Sequence, residues 1–109
     1  MDRQKVEQMQ MIEQNLQHII VQKQSVQSEL MEINTALEQI ASSDEVYTTI
    51  GNIMVKKTSE ELSKELTEKK ETLGVRLTAI ENQEKKLEVK KTEIQTALMQ
   101  EMKEGEKDE

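Results

Sequence analysis

No cysteine, proline, tryptophan or phenylalanine occurs among the 109 residues, and Tyr47 is the single aromatic. Without cysteine there are no disulfides and no thiolate chemistry, which fits a reducing compartment. Without proline, nothing of that kind interrupts two long stretches that read as helix. The apolar fraction is 34%, low for a compact globule of this length, and small domains already bury a modest share of their surface. A catalytic pocket with a thick apolar wall is therefore not expected. Stability must come from a cooperative coiled coil or from other chains.

Charge narrows the field further. There are 22 acidic against 15 basic residues, for a net charge of −7. Arg3 and Arg76 are the only arginines, and the patch Lys85-Lys86 with Lys90-Lys91 is ringed by Glu81, Glu84, Glu88 and Glu93. Phosphate recognition rests on clustered basic groups, so this balance disfavours a nucleic-acid partner. The start of the chain has no apolar run of signal-peptide length, and no segment approaches a membrane span. The expectation is a cytoplasmic protein with no membrane partner.

What is present is periodicity. In the first arm, Met9, Leu16, Lys23, Leu30 and Leu37 recur every seventh residue, and Ile12, Ile19, Val26, Ile33 and Ile40 form the companion column. These are the a and d positions of a heptad repeat, broken only at Lys23. Parallel dimers favour β-branched residues at a and leucine at d; here the preference is reversed, which suits an antiparallel partner within the chain. In the second arm, Leu66, Leu73, Ile80, Leu87 and Ile94 form one apolar column. Its companions Lys70, Leu77, Glu84, Lys91 and Leu98 are mostly charged, and their long stems can cover a seam while their heads stay wet. The second helix is expected from about Ser59 to about Lys103, each arm on the order of 60 Å long at about 1.5 Å per residue.

Between the arms lies Val46-Tyr47-Thr48-Thr49-Ile50-Gly51-Asn52-Ile53-Met54-Val55. Gly51-Asn52 between β-prone pieces predicts a two-residue hairpin loop of type II′ or I′. That register opposes Ile50 to Ile53, Thr48 to Val55 and Val46 to Lys57, with Tyr47, Thr49, Met54 and Lys56 on the other face. A lone hairpin is marginal in water and both its strands are edges. Hairpins of several subunits are expected to join into one sheet or barrel. Thr58 with Glu61 predicts a capping box for the second helix, and Ala41-Ser42-Ser43-Asp44 an end for the first. Gly74 marks a slight bend or a close backbone approach.

The reading is therefore mainly α: a long antiparallel two-helix coiled-coil hairpin with a central β-hairpin that assembles into an intersubunit β-barrel. It forms one domain, with a first helix over 1–43, a hairpin over 44–57, a second helix over 58–104 and a frayed tail over 105–109. Motifs of nucleotide, dinucleotide and zinc-protease sites are absent from the sequence. His18, the lone histidine, takes a solvent-facing heptad position, so no catalytic residue, metal site or cofactor is expected. Glu65–Lys69 and Glu81–Lys85 read as support along one helix face.

An antiparallel fold-back brings Met9 and Met11 together with Met99 and Met102. One reading is flexible core filling where the coil ends. The other is an adaptable apolar surface for irregular clients, because Met-rich surfaces re-pack around different partners. Ile12, Ile94 and Leu98 extend that surface if the last turns splay.

With the hairpin placed, the chain resembles the β class of prefoldin subunits. The resemblance is carried by Glu45-Val46-Tyr47, Ile50-Gly51-Asn52-Ile53-Met54-Val55 and Ser59-Glu60-Glu61-Leu62, with Val21-Gln22-Lys23-Gln24 and Leu73-Gly74-Val75-Arg76 in the arms. It implies a non-catalytic chaperone subunit in a hexamer of two α-class and four β-class chains around a double β-barrel platform. It further implies capture of unfolded proteins at the coiled-coil tips and their delivery to a group II chaperonin without nucleotide. The rival reading is a structural tether that binds one folded partner through an arm.

Overall fold

The computed structural model describes residues 3–107. The order of elements is helix α1 (Arg3–Ile40), strand β1 (Glu45–Ile50), strand β2 (Ile53–Thr58) and helix α2 (Ser59–Lys107). The chain divides into two compact units, one of Met1–Lys23 with Ala79–Glu109 and the other of Gln24–Thr78. In both, a piece of α1 lies against a piece of α2.

The seven-residue repeat explains the burial. Ile12, Ile19, Val26, Ile33 and Ile40, the whole d column of α1, are buried, as are Leu73 and Ile80 of α2. The a column of α1, Met9, Leu16, Lys23, Leu30 and Leu37, is only half-buried. The two columns meet different partners. Lys23 pairs with Glu84, which sets the a positions opposite the charged column of α2 and leaves the d positions to its apolar column. Seams of a two-helix coil cover one stripe per helix, so no larger core forms.

Ends of the elements are set locally. α1 stops at Ile40, where the Ala41 N–H donates to the Leu37 carbonyl and the Ser43 N–H to the Ile40 carbonyl. The Ser42 hydroxyl donates to the Gln39 carbonyl, giving one more open helix-end acceptor a partner. α2 is opened by Thr58, whose hydroxyl accepts the Glu61 N–H at 3.1 Å. That is the hydroxyl half of the capping box, reinforced by Glu60 and Glu61 in the first turn. At its other end α2 runs through Gly105 to Lys107, past the expected tail boundary. A glycine costs a helix only about 1 kcal/mol, and no proline follows to stop it. Asp108 and Glu109 of that tail lie outside the described residues.

The hairpin has the expected register, with Ile50 opposite Ile53, Thr48 opposite Val55 and Val46 opposite Lys57. Gly51 has φ of +60°, while among the described residues no non-glycine residue has positive φ. A type I′ loop requires positive φ at both central residues. The loop therefore follows the II′ pattern, in which glycine alone takes the left-handed position. Gly74 has nothing within 4 Å of where a Cβ would sit, so it does not serve a close backbone approach within the chain.

Candidate functional site

Two surfaces follow from this framework, one in each unit. The first is the hairpin. Val46, Thr48, Val55 and Lys57 share one face and are half-buried. Further toward the turn on the same face, Ile50 and Ile53 are 60% and 67% exposed. On the opposite face Tyr47 and Met54 are 60% and 69% exposed, and Thr49 lies between them, also exposed. The sheet has two strands and nothing more. Every apolar side chain near the turn is thus in water beside backbone edges that have no ladder partner, the arrangement natural proteins avoid unless another chain covers it.

One ion pair fastens this hairpin to α2 and another braces it internally. Lys57 donates to both carboxylate oxygens of Glu65 at 2.8 Å, and Lys56 pairs diagonally across the strands with Glu45 at 3.1 Å. Glu65 is thereby engaged with the strand and not with Lys69, correcting the helix-face reading. Glu81–Lys85 is likewise no ion pair among the described residues; Arg3–Glu7, at 4.0 Å, has the i,i+4 spacing. A lysine entering from another element satisfies a carboxylate as well as one a turn away, and exposed helical pairs contribute only tenths of a kcal/mol.

The second surface lies where the start of α1 meets the end of α2. Lys5 is ion-paired with Glu101, and Glu13 with Lys91 at 3.9 Å. These pairs run up one helix and down the other, so the two ends are antiparallel neighbours. The residues singled out as tip candidates lie between these pairs or, for Met102, directly beside Glu101. Met11, Met99 and Met102 are exposed. Met9, Ile94 and Leu98 are half-buried, and Ile12 is packed in the seam at 8% exposure. The surface offered to solvent is therefore mainly methionine, with Ile12 covered.

Among the described residues no side chain with a polar group is buried, and no cluster of His, Asp and Glu could hold a metal. A concavity of about 830 Å³ is an open groove in the first unit. His18 and Gln22 border it from α1, and Lys86 and Lys90 from α2. His18 is exposed, as its heptad position predicts. The Lys23 pKa is raised above the ordinary lysine value, first by the hydrogen bond to Glu84, then by the charges of Glu84, Glu81 and Glu88. Sequence reasoning missed the interhelical pairs of Lys5, Glu13 and Lys23. Their signal was available in position: with antiparallel helices the two residue numbers of each pair have a nearly constant sum, from 104 for Glu13–Lys91 to 107 for Lys23–Glu84.

Comparison with known proteins decides the family. The family model described as "Prefoldin subunit" matches residues 3–105. This chain belongs to the prefoldin family. Curated relatives place it on the β-subunit side. It is 41% identical over 96 residues to prefoldin subunit beta of Archaeoglobus fulgidus, covering 85% of this chain and 83% of that protein. It is 50% identical over 93 residues to prefoldin subunit beta of Thermococcus onnurineus, covering 79% and 80% respectively. Among solved structures, the prefoldin beta subunit from Thermococcus strain KS-1 superposes with a TM-score of 0.82 at 45% identity, covering 92% of this chain and 90% of that one. The fold is thus that of an archaeal-type prefoldin β subunit, mainly helical with a central β-hairpin. Membership makes the chain a non-catalytic chaperone subunit. No described helix is long and apolar enough to cross a membrane.

Proposed function

We propose that this chain is the β-class subunit of a cytoplasmic prefoldin hexamer, two α-class and four β-class chains, that holds unfolded proteins for a group II chaperonin without nucleotide. All 109 residues act as one prefoldin-like domain, in which Val46 to Val55 supply strands to a shared β-barrel platform. Exposed Tyr47, Ile50, Ile53 and Met54 on a two-stranded sheet support that role, since burial of this apolar area and pairing of both edges require other chains.

Clients are held by Met9, Met11, Ile12, Ile94, Leu98, Met99 and Met102. The observation that carries this reading is the exposure of Met11, Met99 and Met102 at neighbouring helix ends. A thioether on an unbranched chain adapts to many apolar surfaces at small cost. One such end binds weakly, and several on one platform bind a long unfolded chain with multiplied effect. Ile12, now in the seam, becomes available only when the last turns splay.

Replacing Met9, Met11, Leu98, Met99 and Met102 with serine should leave the native mass of the complex unchanged and weaken its suppression of client aggregation in light scattering. Undiminished suppression would defeat the tip assignment. Capture of one folded protein at fixed stoichiometry, with no protection of unfolded chains, would favour a tether.

A further inference from the structure

The seam of α1 would pair well with itself. Met9, Ile12, Leu16, Ile19, Val26, Leu30, Ile33, Leu37 and Ile40 repeat on heptad spacing with a single interruption, Lys23. Such a stripe is a ready partner for the α1 of another copy, a hazard wherever several copies are brought together. Lys23 is not solvated like a surface lysine. Its side chain is 29% exposed, and Nζ donates to Glu84 Oε1 at 3.0 Å across the seam, where Glu84 is 18% exposed. Glu81 and Glu88 on the same helix add negative potential around it.

We infer that the Lys23–Glu84 layer is a partner-selection device that reserves the apolar seam of α1 for α2 and rejects pairing between like helices of neighbouring copies. In a parallel α1–α1 coil, a positions meet a positions, so Lys23 would face a second Lys23. In an antiparallel one it would face an apolar d position and lose its carboxylate. A parallel α2–α2 coil is worse, because Lys70, Glu84 and Lys91 of its charged column would each meet their own kind. The cross-pairing of α1 with α2 removes these conflicts: Lys23 finds Glu84, and Lys91 finds Glu13.

The device works by difference. Partly covered ion pairs contribute little net stability, because desolvation offsets much of the attraction. What distinguishes partners is that every wrong pairing leaves a covered charge unmatched or opposed by its like, the best-attested use of a polar layer in an apolar seam. The inference concerns arm pairing alone and holds whatever the helix ends bind.

The absence of cysteine allows a clean test in the full-length chain. Gln22, exposed beside Lys23, is replaced by cysteine, and interchain disulfide formation under mild oxidation is compared between backgrounds. With Lys23→Ile and Glu84→Leu together, interchain disulfide should rise several-fold over the parent. The charge swap Lys23→Glu with Glu84→Lys restores the device with reversed signs and should return the parent level. An unchanged level in the apolar variant, or a charge swap that cross-links as much as the apolar variant, would overturn the inference. A second measurement uses only the Gln22→Cys parent. Added sodium chloride screens like-charge contacts, so its interchain disulfide should rise with salt, and a flat response counts equally against the inference.

Discussion

The hairpin unit and the helix-end unit expose apolar side chains in opposite ways. On the hairpin, Tyr47, Ile50, Ile53 and Met54 stand beside open backbone edges. Edges carry geometry: another strand must arrive at about 4.8 Å spacing and in register, so this surface suits a fixed partner of the same kind. Around Met11, Met99 and Met102 the backbone is bonded within the helices, and what is offered is exposed side chains. Flexible side chains without a hydrogen-bonding template impose little geometry. One protein thus presents a strict surface and a permissive one, and the difference lies in whether the backbone takes part.

The sharpest way to break this contrast is to make the strict surface polar. Ile50→Asp with Ile53→Asp should abolish higher-order assembly, seen as a fall in native mass, while circular dichroism keeps the helical signal. A variant that assembles normally would move the platform away from the turn. A smaller effect is expected in the seam. Ile33, 6% exposed, cut to alanine should lose about 2–4 kcal/mol. Met31, two residues away and 72% exposed, should lose less than about 0.5 kcal/mol on the same truncation. Thermal unfolding of both variants checks whether one stripe carries the arm.

Smaller still is Gly74→Ala. With nothing within 4 Å of the added Cβ, it should stabilise α2 by up to about 1 kcal/mol. Destabilisation in the assembled state alone would show that another chain approaches the backbone there. The smallest effect concerns pH. Folding raises the Lys23 pKa above 10.5 through Glu84, so the stability it contributes is complete below the unfolded value and is lost as pH climbs through the folded one. The difference in urea midpoint between the parent and Lys23→Gln should therefore hold constant up to about pH 10, where an ordinary lysine begins to titrate, and shrink only as pH rises further. A constant difference would show that Lys23 acts by packing of its stem.

Much of this was legible from the chain. The register from Ile50–Ile53 to Val46–Lys57 followed from Gly51-Asn52, because a two-residue loop fixes which residues face each other. The buried column from Ile12 to Ile40 followed from heptad spacing, and the end of α1 from Ala41-Ser42-Ser43. Less of the candidate surface was legible. Met9, Met11, Met99 and Met102 could be brought to neighbouring positions by topology, yet the covering of Ile12 beside the exposure of Met11 depends on how closely the last turns pack. Glu65 could not be assigned to Lys57 by sequence distance alone, because two lysines were within reach.

Local chemistry accordingly decided the elements, the opening of α2, the hairpin register and the stripe of α1 that is buried, since turns, caps and periodicity act over a few residues. Only the tertiary structure decided that the d column is buried more deeply than the a column, that the loop takes the II′ and not the I′ form, and that Lys23 meets Glu84. The helical contacts join residues 61 to 96 positions apart. Their partners are set by the mutual register of two helices, which no single window of the chain contains.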